Sequence, residues 1–239
     1  MTTIDNNLQL VRARIKQACT AAGRDADSVL LLAVSKTFGA QAVREAAQAG
    51  QRRFGENYIQ EAVDKMAEVA AMALPEPLEW HCIGPVQSNK TRLVAEHFDW
   101  VHTVDRLKTA QRLSDQRPAH LAPLQVCIQV NVDGGSTKAG VPHEDAIALA
   151  RAVARMPQLR LRGVMSIPDV AADAAAQRDV LMQVRAVFDS LRALEGDGLG
   201  GVDTLSLGMT ADLEPAVQAG STMVRVGSGI FGARHYPAV

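Results

Sequence analysis

A (β/α)8 TIM-type barrel with an extra N-terminal helix is the architecture this sequence predicts, on three observations. Short apolar runs alternate with helical stretches, the alternation repeats eight times, and 239 residues is an ordinary length for such a barrel. Strands separated by helical crossovers pair in parallel, and eight such units imply closure. A doubly wound open sheet uses the same alternation and stands as the structural alternative.

The first segment reads as a helix, because Leu8, Val11, Ile15, Ala18 and Ala22 recur at offsets of 3, 7, 10 and 14. Gly23 follows, where a left-handed cap is cheap for glycine. SVLLLAVSK (Ser28 to Lys36) is a continuous apolar run, as a strand buried on both faces requires. Gln41 to Gly50 reads as a helix closed by glycine; QRRFGE as a second strand, leading to Asn57 and a helix through Val69. EWHCIG (Glu79 to Gly84) is the third strand, with a helix across SNKTRLVAEHF. DWVHTVD is the fourth, with a helix across RLKTAQRLSDQ. Leu124 to Val132 is the fifth, alternating and β-branched, with a helix over His143 to Arg155. Leu159 to Ile167 is the sixth; Val180, Val184, Val187, Leu191 and Leu194, broadened by Leu181 and Phe188, stripe the helix after it. Asp203 to Gly208 is the seventh, followed by the short helix ADLEPAVQAG, and Thr222 to Gly232 is the eighth. Leu74 to Leu78 and Gly196 to Gly201 read as surface loops. No linker divides the chain, so residues 1–239 are read as one domain.

Composition narrows the function classes. Apolar residues at 47% and charged residues at 21% match a globular protein and exclude a disordered or fibrous class. With 25 Lys+Arg against 26 Asp+Glu, no long basic run and 4% aromatics, nucleic acid and anionic membrane lack an electrostatic footprint. Cys19, Cys82 and Cys127 are widely spaced without a CxxC, and read as buried apolar residues in a reducing compartment. The histidines form no HxH, HExxH or Cys/His cluster, so no metal site is expected. The N-terminus lacks a leader pattern, and a cytoplasmic location is the default expectation. The absence of a long apolar surface segment favours a monomer.

Active sites of such barrels are built from the loops after each strand. The first strand ends in Lys36, beside an apolar wall. Lost hydration lowers an ammonium's pKa and frees a neutral amine for Schiff-base formation with an aldehyde. A lysine snorkelling at a strand end is the plain alternative. The seventh strand runs into Ser206, Leu207, Gly208, Met209 and Thr210, and the eighth into Gly227, Ser228 and Gly229. Loops after these two strands are where barrels build phosphate sites from backbone N–H groups and hydroxyls; the same residues also serve ordinary turns and caps. Arg225 lies between Val224 and Val226 in the last strand, pointing opposite to both. A guanidinium among apolar residues needs an acceptor: a ligand's ring nitrogen or carboxylate, or a structural salt bridge. A lysine nucleophile, a phosphate cup and a buried arginine together suggest pyridoxal 5'-phosphate (PLP).

With those residues assembled, the chain resembles the pyridoxal phosphate homeostasis protein family, whose barrel is similar to the alanine racemase N-terminal domain. The resemblance rests on AVSKT around Lys36, FGENYIQEA from Phe54, HCIGPVQSNK from His81, HTVDR from His102 and GVMSIP from Gly163. LSLGMTADLEPAVQAGSTMVRVG from Leu205 and IFGAR from Ile230 complete it, so nearly the whole chain is covered. It implies PLP on Lys36 as a Schiff base, with its phosphate against Ser206, Gly208 and Thr210 and the Gly227–Ser228 turn. Arg225 would face the pyridine nitrogen, and Asn57 and Met165 would line the pocket near the ring. Thr210 stands where serine is common, and Gly229 where alanine is usual; both keep the backbone cup.

Carbanion-stabilising PLP enzymes usually place a carboxylate on the pyridine nitrogen; an arginine there disfavours ring protonation and weakens the electron sink. Alanine racemases share that arginine but resemble this chain only in part: they add a C-terminal β-domain and use a partner's tyrosine. This chain ends at Val239, and its tyrosines are Tyr58 and Tyr236, the latter read as disordered tail. A racemase needs two opposed bases, and only Lys36 is nameable. The reading is a non-catalytic PLP-binding protein of vitamin B6 and amino-acid homeostasis, with apo-PLP enzymes as recipients. A weakly active racemase-like enzyme and a barrel enzyme for another phosphorylated ligand are the alternatives. Lys90 and Lys138 are candidate relay lysines or solvated loop lysines, and Glu56 either orients the Asn57 loop or faces solvent.

Overall fold

The eight-fold alternation closes on itself. A computed structural model describes residues 2–133, 139–169, 171, 173–194, 196 and 198–233. In chain order the elements are α1 (Thr3–Ala21), a 3-10 turn (Ala26–Ser28), β1 (Leu30–Val34), α2 (Ala40–Gln48), β2 (Arg53–Glu56), α3 (Ile59–Ala70) and β3 (Glu79–Cys82). Then come α4 (Thr91–His97), β4 (Trp100–Val104), α5 (Leu107–Gln116), β5 (Leu124–Asn131), β6 (Val141–Pro142), α6 (His143–Ala154) and β7 (Leu159–Met165). The last are α7 (Ala174–Arg192), β8 (Thr204–Ser206), α8 (Leu213–Gln218), β9 (Met223–Val226) and α9 (Ser228–Phe231). The strands run β4-β3-β2-β1-β9-β8-β7-β5, and a β4–β5 pairing joins the ends, so the sheet is a closed parallel barrel and not an open one. β6 is a two-residue parallel extension on β5 that the apolar pattern is too short to reveal.

The N-terminal helix has a definite place in this architecture. α1 starts at Thr2, whose hydroxyl accepts from the Asp5 N–H at 3.2 Å, and ends before Gly23, which adopts φ +65° as a left-handed stop. Its buried face of Leu8, Val11, Ile15, Ala18 and Cys19 packs between α8 and α2. Arg14 ties it to Glu214 of α8 at 2.9 Å, and the Asn7 amide donates to the Ile230 carbonyl of α9. It therefore completes the outer helical ring where the helix after the last strand is only four residues long.

The expected eighth strand over Thr222 to Gly232 is a correction: the strand stops at Val226, and Ser228–Phe231 is a helical turn. Gly227 marks the break, where a Cβ would come within 3.3 Å of the Val34 carbonyl oxygen. β1 is likewise shorter than its apolar run, so Lys36 sits two residues past the strand, in a turn. Most of the buried apolar side chains lie between strands and helices. Inside the barrel are two small apolar clusters, Leu32, Val34, Ile83 and Met223, and Trp100, Cys127 and Met165. Polar groups share that interior.

Candidate functional site at the C-terminal mouth

The turn carrying Lys36 is clamped on both sides. Ser35 is buried; its hydroxyl donates to Glu56 Oε1 at 2.6 Å, and its carbonyl accepts from Lys65 Nζ at 2.9 Å. Lys65 reaches in from α3 and pairs with Glu56 at 2.7 Å, both side chains being almost fully shielded. Beyond Lys36, the Thr37 N–H donates to Glu61 Oε1 at 3.0 Å. Thr37 adopts φ +68°, an outlier for a β-branched residue, which persists only where surrounding contacts impose it. Glu56 thus holds the backbone that presents Lys36 and does not face solvent. Burial pushes its carboxyl above the usual range, with the Lys65 ammonium pulling it back, and its Oε2 has no partner among the described residues.

Arg225 of β9 points into the barrel, as alternation with Val224 and Val226 requires, and is almost completely buried. Nη1 donates to the Ser206 carbonyl at 2.7 Å and to the Ser206 hydroxyl at 2.8 Å; Nη2 donates to the Ser166 carbonyl at 2.9 Å. No carboxylate pairs with it among the described residues, which answers the salt-bridge alternative. These bonds use three of the guanidinium's five N–H groups. Burial lowers its pKa to about 10, so it stays cationic at neutral pH.

The loops after β8 and β9 meet beside it. Gly208 takes φ +91°, and a Cβ there would lie 2.4 Å from the Ala216 Cβ, so only glycine fits. The Arg225 N–H donates to the Gly208 carbonyl, and the Met209 N–H to Asp212 Oδ1 at 2.7 Å, fixing this loop. Thr210 Oγ1 and Ser228 Oγ lie 3.4 Å apart, bringing the two loops together. A Cβ at Gly229 would approach Val226 Cγ1 to 3.0 Å and Thr210 Cγ2 to 3.2 Å, so this crossing is tight.

A cavity of about 320 Å³ opens on the same face, bordered by the ends of β2, β3, β4, β5 and β7. Asn57 lines it, with Thr103, Gln129 and Ser166. Asn57 Oδ1 is a buried acceptor without a partner among the described residues, and Asn57 is held in place by Gly84, where a Cβ would lie 2.2 Å from its carbonyl oxygen. Ser166 joins this cavity to Arg225, since its carbonyl accepts from Nη2.

Of the residues expected from sequence, Lys36, Gly208, Thr210, Arg225, Gly227 and Ser228 cluster at the ends of β1, β8 and β9, and Asn57 lies across the mouth. Ser206 is placed differently: it is fully buried, with its hydroxyl spent on Arg225 and on His102 Nδ1 at 2.9 Å. Met165 packs against Trp100 and Cys127 inside the barrel and does not line the cavity; its neighbour Ser166 does. Lys90 starts α4 with its ammonium 3.4 Å from Gln60 Oε1, while Lys138 and Tyr236 lie outside the described residues. The thiols of Cys82 and Cys127 are pushed up to about 12 by burial, so neither is a nucleophile. No group of metal-ligating side chains occurs among the described residues, and no helix of them is long and apolar enough to cross a membrane. Sequence reasoning missed Ser35, Lys65, Glu61, Gln129 and Ser166. It also missed His81 and His102, for which period-two alternation in β3 and β4 was an available signal.

The chain has clear relatives among known proteins. The chain matches the family described as "Alanine racemase, N-terminal domain" over residues 4–235. It is 58% identical over 238 residues to the pyridoxal phosphate homeostasis protein of Pseudomonas aeruginosa, covering 100% of this chain and 99% of that one. To the protein of the same name from Escherichia coli K12 it is 51% identical over 236 residues, covering 99% of each. Among solved structures, PipY of Synechococcus elongatus with PLP bound superposes with a TM-score of 0.80 at 35% identity, over 96% of this chain and 100% of that one. Alanine racemase from Corynebacterium glutamicum shares the fold at 16% identity and a TM-score of 0.68, with this chain spanning 60% of it. The chain belongs to the pyridoxal phosphate homeostasis protein family, on the barrel of the alanine racemase N-terminal domain.

Proposed function

We propose that this protein binds PLP covalently through the Lys36 ε-amino group, as a Schiff base, and acts in PLP and amino-acid homeostasis by holding the cofactor and not by catalysis. The observation that carries the reading is Arg225: a buried, cationic, donor-only side chain beside Ser206 and Gly208, with no carboxylate partner among the described residues. The relatives named for PLP homeostasis and the PLP-bound PipY support the ligand.

The residues present fit PLP. Gly208, Thr210, Gly227 and Ser228 supply a backbone cup and hydroxyls for its phosphate, and the unpartnered Asn57 oxygen offers an acceptor on the opposite side. Bound PLP supplies an aldehyde and an aromatic ring able to withdraw electrons. Arg225 would donate a hydrogen bond to a ring nitrogen without protonating it, which would weaken that withdrawal. Ser206 acts through Arg225, and Met165 beneath the rim supports the pocket without lining it. The Glu56–Lys65 pair and Glu61 orient the Lys36 turn. A second opposed base, which racemisation needs, is not found among these residues. Apo-enzymes that need PLP are the natural recipients.

Adding PLP to the purified protein should give a visible absorbance band that Lys36→Ala abolishes, with no racemisation of L-alanine. Steady formation of D-alanine would favour an enzyme, and a colourless protein would favour another phosphorylated ligand.

A further inference from the structure

A continuous chain of side chains crosses the barrel interior from one mouth to the other. Arg225 Nη1 lies 2.8 Å from Ser206 Oγ, which lies 2.9 Å from His102 Nδ1. His102 Nε2 lies 2.8 Å from His81 Nδ1, and His81 Nε2 lies 2.8 Å from Glu79 Oε1. His81, His102 and Ser206 are fully shielded from solvent, while Glu79 is 37% exposed. Glu79 opens β3 at the N-terminal mouth, in a cleft of about 560 Å³ lined also by Arg53, Asp99, Trp100 and Arg162.

The two ends fix the direction of every bond between them. A guanidinium only donates, and a carboxylate only accepts. With both imidazoles neutral and Glu79 ionised, the four bonds in series are satisfied in one way alone. Arg225 donates to Ser206, whose hydroxyl donates to His102 Nδ1; His102 Nε2–H donates to His81 Nδ1, and His81 Nε2–H donates to Glu79. Both neutral histidines are therefore Nε2–H tautomers. Their environment agrees: burial holds His81 below, and His102 well below, the ordinary imidazole value. Burial pushes Glu79 up, but its interactions with His81, and after them the Arg53 charge and a Trp100 hydrogen bond, outweigh it, and its carboxyl lies below the ordinary range.

We propose that Glu79, His81, His102 and Ser206 are positioning residues for Arg225, a through-barrel chain that locks its donor direction toward the cofactor's ring nitrogen and carries the charge state of the N-terminal mouth to the PLP site. This rests on the reading that Arg225 meets that ring nitrogen. The chain restrains the guanidinium, leaving it no freedom to turn away or to yield its place to water. The charged and titratable groups facing it are few. Arg53 lies 3.0 Å from Glu79; Asp99 takes the Trp80 N–H; Arg162 sits 4.7 Å over the Trp100 ring on which His81 stacks. Cys127 and Asp212 act on Arg225 from β5 and the loop after β8.

Two measurements on the PLP-loaded protein test this. Nitrogen-15 NMR of labelled histidine should show His81 and His102 as neutral Nε2–H tautomers at neutral pH; an Nδ1–H tautomer or an imidazolium at either would overturn the chain. In the second, pH titration of the visible band compares wild type with Glu79→Gln and with Glu76→Gln, a nearby carboxylate paired to Arg52 outside the chain. Loss of the Glu79 charge should lower the midpoint by on the order of half a pH unit, while Glu76→Gln leaves it unchanged. Equal responses, or none from Glu79→Gln while borohydride still labels Lys36, would reject the coupling. Failure to label Lys36 in wild type would instead reject the PLP reading, and with it the chain's role toward a cofactor, while the tautomers still decide whether the chain exists. If Glu79→Gln does not fold, the wild-type tautomers decide.

Discussion

Lys36 owes its presentation to its neighbours, and the costliest of these to lose is Lys65. Removing one partner of a buried pair strands the other charge, at about 3–5 kcal/mol. Lys65→Ala should therefore destabilise the protein by that order in chemical denaturation, and weaken PLP retention by freeing the Ser35 carbonyl that Lys65 holds. An unchanged unfolding midpoint would show that Glu56 is already neutral. Lys36 and Arg225 were legible in the sequence because each is a charge set against an apolar strand. Lys65 was not: on a helix of mixed polarity it looks like any solvated lysine, and only the docking of α3 over the ends of β1 and β2 buries it. Thr37 gave no turn signal either, since β-branched residues rarely adopt positive φ.

Among the elements, β7 and β8 are the pair on which the site geometry depends most. Their register sets Gly163 against Thr204 and Met165 against Ser206. A Cβ at Gly163 would lie 1.8 Å from the Thr204 carbonyl oxygen, so the strands touch there backbone to backbone. Gly163→Ala should cost about 1–3 kcal/mol in denaturant unfolding, as overpacking does, and shift the Ser206–Arg225 contact enough to weaken PLP binding. Wild-type stability in that variant would mean the strands separate freely. The parallel strands and the helices after the first seven of them were readable from apolar periodicity, because parallel barrel strands are apolar on both faces. The end of the last strand was not, because SGIF continues an apolar pattern while Gly227 breaks it through a close approach to Val34 that only the closed barrel creates.

Taken as a whole, the barrel keeps two neutral histidines in its interior, and this shapes its response to acid. Their folded pKa values lie below the unfolded value of about 6.5, so the unfolded chain binds more protons. Stability is then fully present above about pH 6.5 and is lost as pH falls below it, each histidine contributing up to about 1.4 kcal/mol per pH unit. His102→Asn should flatten that slope by about one proton's worth in unfolding curves taken between pH 6.5 and 5; an unchanged slope would mean His102 is protonated when folded. The same interior explains the proposed role: a donor-only arginine held from beneath suits retaining PLP more than driving its chemistry. The most direct test of that claim is borohydride reduction of the PLP-loaded protein followed by peptide mapping. A pyridoxyl group on Lys36, absent after Lys36→Ala, is the result expected; no label, or label on Lys90 or another lysine in its place, would contradict it.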